Sequence, residues 1–380
     1  MIEYKTVKIT DLGTVSRGKS KHRPRNDSVL YGGKYPFIQT ADIKKANLYL
    51  SEYSQTYNEI GLKQSKLWKK GTLCFTIAAN IADSAILDID ACFPDSIVGF
   101  LPFANVSDTI YVKYLFDELK LYFKQISKGT TQDNLSLDKI CRVKLRVPNY
   151  ETQKKIGSVL STYDNLIENN NKRIKLLEQM AENLYKEWFV RFRFPGYENS
   201  EFENGIPKEW KYTKLERLAN ISTGKCNRED AEEDGAYPLF DRSQEIKRSN
   251  VWLKDCEAII VPGEGTSFIP RYYNGKFNLH QRCYCVEPLE KGMGFFLYQT
   301  LMMYRIYFLY VATGATVPSL RLNNFNNFKV LLPKKELCFQ YNEIAEKMND
   351  EILLLKNKNE LLAKQRDMLL PRLMSGKLEV

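Results

Sequence analysis

Residues 129–135, with the sequence GTTQDNL, return in altered form as residues 314–320, GATVPSL, 185 positions later. The same spacing relates further matched positions along the chain: Leu137 with Leu322, Lys144 with Lys329, Pro148 with Pro333, Leu176 and Leu177 with Leu361 and Leu362, and Leu184 with Leu369. Two copies of this length nearly fill the 380 residues. The sequence therefore predicts a chain of two related halves.

Towards the start of each copy the register drifts, as expected where loops differ in length. The matched positions there are Leu12, Val15, Gly18, Lys19 and Tyr35-Pro36 in the first copy, and Leu218, Ile221, Gly224, Lys225 and Tyr237-Pro238 in the second. Each half reads as short strands and turns, with apolar runs at 72–78 and 258–261. One helix follows in each half, from about 112 to 128 and from about 295 to 313. Gly129 and Gly314 are expected to cap these two helices in a left-handed conformation.

A long heptad stripe then closes each copy. In the first copy stripe positions, most of them apolar, alternate in steps of four and three from Ile156 to Trp188, and in the second from Ala345 to Leu373. The order is therefore variable domain, shared helix, variable domain, shared helix. The predicted boundaries are 1–150 for the first domain, 151–192 for the central helix, 193–336 for the second domain and 337–380 for the C-terminal helix.

Two matched stripes of this length favour pairing with each other, and one antiparallel register aligns every layer. In that register the numbers of facing residues add up to 529, and the two polar stripe residues Asn170 and Asn359 meet. Asn opposite Asn can exchange hydrogen bonds and fix the register, whereas Asn opposite an apolar layer would be left partly unsatisfied. The weakest layer places Tyr163 opposite Arg366, with both polar tips expected in solvent.

Composition describes a globular protein with a basic surface. Hydrophobic residues make up 43% and charged residues 27% of the chain. The net charge of +10 favours polyanionic partners, and residues 1–50 are rich in Lys and Arg. The stretch 295–311 is interrupted by Gln299 and Arg305, so no membrane span is expected. Charged residues in the first ten positions argue against a signal peptide, which favours the cytoplasm.

One motif misleads. Residues 13–20, GTVSRGKS, satisfy the phosphate-loop pattern GxxxxGK[ST]. That chemistry needs a helix after the loop, but a charged stretch broken by Pro24 follows instead. The second copy keeps Gly224-Lys225 but has Ala219 and Cys226 where the pattern requires Gly and Ser. We therefore expect no nucleotide hydrolysis here.

Other chemistry finds little support in the sequence. The eight cysteines are scattered and there are two histidines, so no metal site and no disulfide framework is predicted. The GxG at 263–265 reads as a tight turn. No catalytic residues and no bound cofactor are predicted, and the internal repetition points to a binding scaffold.

The repeated segments resemble the specificity (S) subunits of type I restriction-modification systems. The residues that carry the resemblance are 129–132 through Val147-Pro148, then 153–156 and the helix to Trp188-Phe189, with the second copy from 314 to 373. Two departures are Asp133, where the second copy has Pro318, and the Gln-x-x-Ile step at 153–156, which becomes 340–344, QYNEI. We therefore expect the second helix to begin with a different shape. The resemblance covers essentially the whole chain.

The resemblance implies an α+β fold with two pseudo-symmetric, mixed β-rich target recognition domains. Two long helices separate them and form an antiparallel coiled coil. It also implies a non-catalytic reader of duplex DNA, in which each domain reads one half of a bipartite target. The helices set the spacer and dock two modification (methyltransferase) subunits, which bind S-adenosylmethionine and methylate adenine, and restriction subunits join them for cleavage. A helix of about 35 residues is on the order of 50 Å long, which exceeds one DNA turn.

Within this interpretation, polar and basic loop residues are the candidate DNA contacts. In the first domain these are Lys19, Arg23, Arg25, Lys128, Thr130, Thr131 and Gln132, and in the second Lys225, Arg228, Arg271, Arg282 and Thr316. The bases and the spacer length do not follow from periodicity.

Two alternatives remain open at this stage. One is a coiled-coil adaptor whose β-rich domains bind protein without recognising DNA, and the other is an enzyme fragment that acts on nucleotides. Strong salt dependence of DNA binding would separate the reader from the adaptor. Nucleotide binding that is lost in Lys19→Ala would favour the enzyme.

Overall fold

The computed structural model describes residues 3–128, 135–314 and 316–380. The chain divides into two compact units. Unit 1 comprises Met1–Lys172 and Leu355–Val380, and unit 2 comprises Arg173–Leu354. Each unit therefore contains one variable half of the sequence together with parts of both long helices.

Unit 1 is built on two small sheets. Its strands are β1 Tyr4–Val7, β2 Gly13–Arg17, β3 Tyr31–Phe37, β4 Tyr49–Leu50, β5 Gln55–Tyr57, β6 Leu67–Trp68, β7 Leu73–Thr76, β8 Ser84–Leu87, β9 Ala91–Cys92, β10 Ile97–Pro102 and β11 Leu145–Pro148. Its helices are α1 Ile9–Leu12, α2 Thr40–Lys45, α3 Glu59–Lys63, α4 Thr109–Glu118, α5 Lys120–Ser127, α6 Leu137–Arg142 and the beginning of α7 Tyr150–Tyr185. One sheet has the order β2-β10-β7-β8-β4 and the other β5-β3-β9-β6, while β1 pairs with β11.

Unit 2 is built on one larger sheet. Its strands are β12 Phe202–Glu203, β13 Ile206–Pro207, β14 Lys211–Lys214, β15 Ala219–Thr223, β16 Tyr237–Phe240, β17 Lys247–Ser249, β18 Lys254–Pro262, β19 Arg271–Leu279, β20 Cys283–Pro288 and β21 Lys329–Leu332. Its helices are α8 Gly294–Met303, α9 Arg305–Val311, α10 Leu322–Asn326 and the beginning of α11 Lys335–Met374, and a π-helical turn, Lys186–Val190, extends α7. The six-stranded sheet has the order β15-β20-β18-β19-β16-β17.

The main sheets of the two units share the order and direction of four neighbouring strands, counted from one edge of the sheet. β2, β10, β7 and β8 are joined antiparallel in unit 1, as are β15, β20, β18 and β19 in unit 2. The matched Tyr-Pro steps also occupy equivalent strands: Phe37 of β3 pairs in parallel with Cys92, and Leu239 of β16 pairs in parallel with Asn278. The predicted α+β class with two pseudo-symmetric, mixed β-rich domains is thus confirmed.

The predicted helices after the strands are present, but each is split in two. α4 and α5 meet at Leu119, and α8 and α9 meet at Tyr304. The prediction that Gly314 caps the second of these pairs is wrong, because α9 ends at Val311 with Ala312 as its cap. Gly314 does have a positive φ of 124°, but it lies in the following loop. Gly129 lies outside the described residues.

Both long helices contribute to the core of each unit. In unit 1, Ile156 and Leu160 of α7 and Leu373 and Met374 of α11 belong to the same buried cluster as the sheet residue Phe75. The corresponding residues in unit 2 are Tyr185, Trp188 and Phe189 from α7 and its π-helical turn, with Tyr341 and Ala345 from α11. Every predicted stripe position on both helices is buried or half-buried.

Contacts in each unit show that the two helices run antiparallel. In unit 1, Asp164 contacts Arg366 and Asn170 contacts Asn359. In unit 2, Arg173 Nη2 lies 2.7 Å from Glu351 Oε1, and the Tyr341 hydroxyl donates to the Ala181 carbonyl at 3.1 Å. Residue numbers rise along α7 as they fall along α11 in both cases, so the predicted antiparallel coiled coil is confirmed.

The two polar stripe residues meet, as the predicted register requires. Asn170 Nδ2 donates to Asn359 Oδ1 at 2.8 Å, and Asn359 Nδ2 donates in turn to Asn171 Oδ1 at 2.9 Å. Both amides therefore have hydrogen-bond partners in the seam. Their role in selecting this register over others stays a prediction.

A buried charged network lies next to this seam in unit 1. The prediction that Tyr163 and Arg366 extend side by side into solvent is wrong for the arginine, whose guanidinium instead pairs with Asp164. The Asp164 side chain is only 1% exposed, and it also accepts a hydrogen bond from the hydroxyl of Tyr114. This network joins α4, α7 and α11.

The beginnings of the two long helices use different residues for the same purpose. In unit 1 the buried Gln153 accepts a hydrogen bond from the backbone N–H of Asp108 at 3.1 Å, just before α4. In unit 2 the buried Asn342 accepts one from the N–H of Phe295 at 2.8 Å, at the start of α8. Asn342 lies one helical turn further along its helix than the repeat spacing places it, which accounts for the altered Gln-x-x-Ile step.

We expect the Asp164–Arg366 pair to matter far more than an exposed pair of the same composition. Arg366→Met should lower the free energy of unfolding by about 3 kcal/mol, because it leaves the Asp164 carboxylate buried without its cation. Arg173→Met is the matched control: Arg173 and Glu351 are 52% and 36% exposed, so its loss should stay below about 1 kcal/mol. Calorimetry of the two variants measures the difference, and equal losses would contradict it.

Candidate nucleic-acid interface

The matched Gly-Lys steps form the same corner in both units. Gly18 follows β2 and donates its N–H to the Ile97 carbonyl at 2.8 Å, and Gly224 follows β15 and donates to the Cys283 carbonyl at 3.3 Å. A Cβ would lie 2.3 Å from a backbone oxygen at Gly18 and 1.9 Å at Gly224, so only glycine fits. The next residues, Lys19 and Lys225, are exposed.

This corner also explains the apparent phosphate-loop motif. Gly13–Arg17 is a β-strand, and a Cβ at Gly13 would lie 2.2 Å from the backbone oxygen of Leu101 in the neighbouring strand. Ser20 is buried, and the next helical turn does not begin until Ser28. The backbone around Lys19 is therefore no phosphate-binding turn before a helix N-terminus.

The other predicted residues of unit 1 lie on exposed turns. Arg23 Nη1 donates to the carbonyls of Ser20 and His22, both at 2.8 Å. Arg25 Nη2 donates to both carboxylate oxygens of Asp95 at 2.7 and 2.8 Å. Lys128 is exposed directly after α5. Thr130, Thr131 and Gln132 lie outside the described residues.

In unit 2 the repeated loop is fastened to the GxG turn at the end of β18. The N–H of Gly265 donates to the Pro318 carbonyl at 3.0 Å, and the N–H of Leu320 donates to the Gly263 carbonyl at 2.8 Å. Thr316 is exposed in this loop. In unit 1 the same loop position, Leu135, donates to the Ile77 carbonyl at 3.0 Å. In unit 2 the loop is therefore held by backbone bonds that do not depend on its side chains.

A cleft of unit 2 brings several of these loops together. Its lining residues are Arg228, Asp241, Arg242, Ser243, Glu264, Gly265, His280 and Val317. At its edge Arg242 Nη1 donates to Glu264 Oε2 at 2.7 Å, and Arg282 Nη1 lies 3.4 Å from Glu264 Oε1. We call Arg242, Glu264 and Arg282 the arginine clamp. The sequence indicated Arg228 and Arg282 but missed Arg242 and Glu264.

Asp241 organises the base of the cleft. Its carboxylate accepts hydrogen bonds from Lys247 Nζ at 2.6 Å and from the hydroxyl and N–H of Ser243 at 2.6 and 2.8 Å. Burial raises the pKa of this carboxyl, but the hydrogen bonds from Lys247 and Ser243 outweigh it and lower the pKa to about 2. Asp241 is thus a charged, fully partnered group.

Arg271 belongs to this base rather than to the exposed surface. Its guanidinium donates to the backbone carbonyls of Ser243 at 2.8 Å and Asp241 at 2.5 Å, and it lies 5.0 Å from the ring centroid of Phe240. These bonds hold the 241–243 turn against β19. Of the sequence-predicted arginines of unit 2, Arg271 is the one whose guanidinium is bound to backbone carbonyls.

His280 presents one defined donor at the cleft. Its Nδ1 accepts a hydrogen bond from the N–H of Arg282 at 3.0 Å, which places the proton of a neutral ring on Nε2. Burial lowers the pKa of this imidazole, with a smaller contribution from the nearby Arg242. The ring is therefore neutral near pH 7 and offers an N–H donor.

Two negative observations apply to the described residues 3–128, 135–314 and 316–380. None of their helices combines the length and the apolar character required to span a bilayer. No group of three or more His, Cys, Asp or Glu side chains among them is placed to hold a metal ion.

Taken together, the fold is a tandem of two similar β-rich units, each with basic residues in the loops beside a Gly-Lys corner, and each completed by two paired helices. This is the architecture of a two-headed binding scaffold. The chain belongs to the family of type I restriction modification DNA specificity domains, whose sequence model matches residues 1–179 and 207–364. The resemblance seen in the sequence is thereby confirmed.

Relatives of full length support this assignment. The type I restriction enzyme MjaIX specificity subunit of Methanocaldococcus jannaschii is 26% identical over 408 residues, covering 100% of this chain and 94% of that protein. The HindI specificity subunit of Haemophilus influenzae is 23% identical over 460 residues, covering 97% and 98%. The crystal structure of an S subunit from M. genitalium matches with a TM-score of 0.65 and 16% identity, covering 98% of this chain and 96% of that one, and shows the same fold.

The lowered pKa of Asp241 predicts a pH-dependent contribution to stability. Because the folded-state pKa of about 2 lies below the ordinary 3.8, the charged form stabilises the fold above about pH 4, and this contribution is lost as the pH falls towards 2. Asp241→Asn should therefore cost about 1 to 2 kcal/mol at pH 5 and progressively less below pH 4. Calorimetry across this range tests it, with the exposed Asp234→Asn as control. A difference in the free energy of unfolding between wild type and Asp241→Asn that stays constant down to pH 2.5 would contradict the prediction.

Proposed function

We propose that this chain is the DNA sequence-specificity subunit of a type I restriction-modification complex, and that each unit reads one half of a bipartite duplex target. The observation that carries the proposal is that the two units have the same strand framework but different loop residues. Both units share the strand order and the Gly-Lys corner, and in both the leucine that ends the repeated segment, Leu135 or Leu320, donates its N–H to the residue after the neighbouring strand, while the loop sequences differ. Two similar readers with different surfaces suit a target whose halves differ.

The chemistry of the exposed loops fits duplex DNA. The chain carries a net charge of +10, and Lys19 and Lys225 are exposed at the corners and Lys128 directly after α5. Lysine side chains at such sites neutralise phosphates and position a protein on the duplex, whereas oriented arginines read base edges. Arg23 and Arg25 in unit 1 and Arg228 and Arg282 in unit 2 are the proposed candidates for the second role. Thr130, Thr131, Gln132 and Thr316, on the repeated loops, stay candidates as well.

We assign the long helices to spacing and assembly. Each exposes apolar side chains outside the seam that pairs it with the other: Leu166, Leu176 and Met180 on α7, and Leu353, Leu354, Leu361 and Met368 on α11. We propose these side chains as part of the surface that contacts partner proteins. The proposed partners are two modification subunits, with restriction subunits joining for cleavage.

In this proposal the chain itself is non-catalytic and carries no cofactor. S-adenosylmethionine belongs to the modification subunits, which transfer its methyl group to adenine. The working compartment is the cytoplasm, where the partner subunits and the target DNA are found.

The decisive experiment is to co-express the chain with the modification subunit encoded beside its gene and to map methylated adenines across the host genome. A split motif with a fixed gap is expected. A soluble complex that adds no methylation would favour the protein-binding adaptor instead. Saturable nucleotide binding that Lys19→Ala abolishes would favour the enzyme.

The same complex allows a test of the Gly-Lys corner. If Lys19 contacts a phosphate, Lys19→Ala should weaken binding equally on all duplex sequences and reduce the salt slope of log affinity by about 1. Lys70→Ala is the control. Lys70 is exposed just before β7, at the end of that strand away from the Gly18 corner, and it pairs with Asp88. Titrations at several salt concentrations measure both slopes. An unchanged slope in Lys19→Ala would remove Lys19 from the interface.

A further inference from the structure

The two arginines of the clamp in unit 2 are held in position by an ion pair, unlike most exposed arginines. Glu264 is only 19% exposed, and its two oxygens face Arg242 and Arg282 separately. One carboxylate thus orients two guanidiniums, while 46% of the Arg242 side chain and 53% of the Arg282 side chain stay exposed. A guanidinium has five N–H donors, and the bond to Glu264 uses Nη1 of Arg242. The rest of its edge is available to a ligand.

The cleft offers mainly donors. Arg228 and Arg242 line it, and His280 adds the Nε2 proton that its tautomer fixes. Of the two carboxylates in the lining, Asp241 is already neutralised by Lys247, and Glu264 is shared by the clamp. A ligand that fits must present adjacent acceptors. In the major groove, guanine presents two, O6 and N7, and arginine is their commonest partner.

Unit 1 lacks this arrangement at the positions that its hydrogen bonds identify as equivalent. The N–H of Ile77 donates to the Ser96 carbonyl at 3.0 Å, as the N–H of Gly263 donates to the Arg282 carbonyl at 2.8 Å. Ser96 thus stands in place of Arg282, and Ala78, which follows Ile77, in place of Glu264. Among the described residues of unit 1, these two positions therefore lack the carboxylate and the second guanidinium of the clamp.

We propose that the arginine clamp reads a guanine–cytosine base pair in the half-site bound by unit 2, with Arg242 donating to guanine O6 and N7 and Glu264 holding Arg242 in position. The proposal rests on the proposed function, since it names what one of the two readers recognises. It assigns Arg242 to direct readout and Glu264 to positioning. Arg228 and His280 border the same base or its phosphate.

The two roles predict different sensitivities. Without Arg242 the guanine loses its bidentate donor, so discrimination at that pair should fall by about 10- to 100-fold. Without the charge of Glu264 the guanidinium is no longer fixed, so Glu264→Gln should relax the preference at the same pair with a smaller effect. A residue that only supported the fold would not change preference at one base pair.

The test uses the full chain in complex with its modification subunit and compares wild type, Arg242→Gln and Glu264→Gln. Arg217→Gln is the matched control, because Arg217 is exposed next to the opposite end of β15 from the Gly224 corner. Methylation mapping gives the motif of each complex. Duplexes in which single guanines are replaced by 7-deazaguanine then remove one N7 acceptor at a time. Calorimetry of each variant confirms that it is folded.

We expect one guanine in one half-site at which 7-deazaguanine weakens binding by wild type and the control, but not by Arg242→Gln. The other half-site should be read unchanged by all four proteins. Equal weakening of Arg242→Gln on every sequence would make Arg242 a phosphate contact and overturn the proposal, as would half-sites whose preferences are unchanged in both variants. A wild-type complex without any split motif would instead overturn the proposed function itself.

Discussion

The packing of both long helices into each core is the constraint on which the rest of this structure depends. Ile156 and Leu160 from one helix and Leu373 and Met374 from the other are buried together in unit 1, although about 200 residues separate them. Unit 2 buries Tyr185 and Tyr341 in the same way. Each core thus combines residues from both halves of the sequence, so the packing of each unit depends on the pairing of the helices.

Polar groups in the seam are expected to make this pairing selective for one register. Leucine-rich seams tolerate shifts of register, because one apolar layer resembles the next. The Asn170–Asn359 contact and the Asp164–Arg366 pair are different, because a shift by one turn would leave amides and charges buried without partners. The repeat does not copy either pair: Asn170 and Asn359 correspond by the 185-residue spacing to Leu355 and Ile174. The two helices therefore pair as distinct partners despite their common origin in the repeat.

The periodic features could be predicted from the sequence, and the contacts between loops could not. The 185-residue spacing indicated two units, and the heptads located the helices and their register, because these signals repeat along the chain. Arg242 and Glu264 are 22 residues apart, and no sequence pattern connects them. They meet only because β18 places Glu264, which follows it, beside the turn that contains Arg242. The sequence does not distinguish Arg271 from the exposed arginines of unit 2, because its hydrogen bonds go to the backbone carbonyls of Ser243 and Asp241, which are distant in the chain. Gly314 has the positive φ that its residue type suggests, but in a loop rather than at the helix end.

The same division between frame and loops explains how such a protein can change what it recognises. The corner and the repeated loop are held by backbone bonds, from Gly224 to Cys283 and from Leu320 to Gly263, and these require no particular side chain beyond the glycine of the corner. In unit 1 the equivalent bonds form around Ala78 and Ser96 instead of Glu264 and Arg282. Side chains on these loops can therefore vary without loss of the fold, because the apolar residues that stabilise each unit lie in the sheets and helices beneath them. A frame that leaves its loops free in this way allows two copies of one unit to acquire different specificities within a single chain.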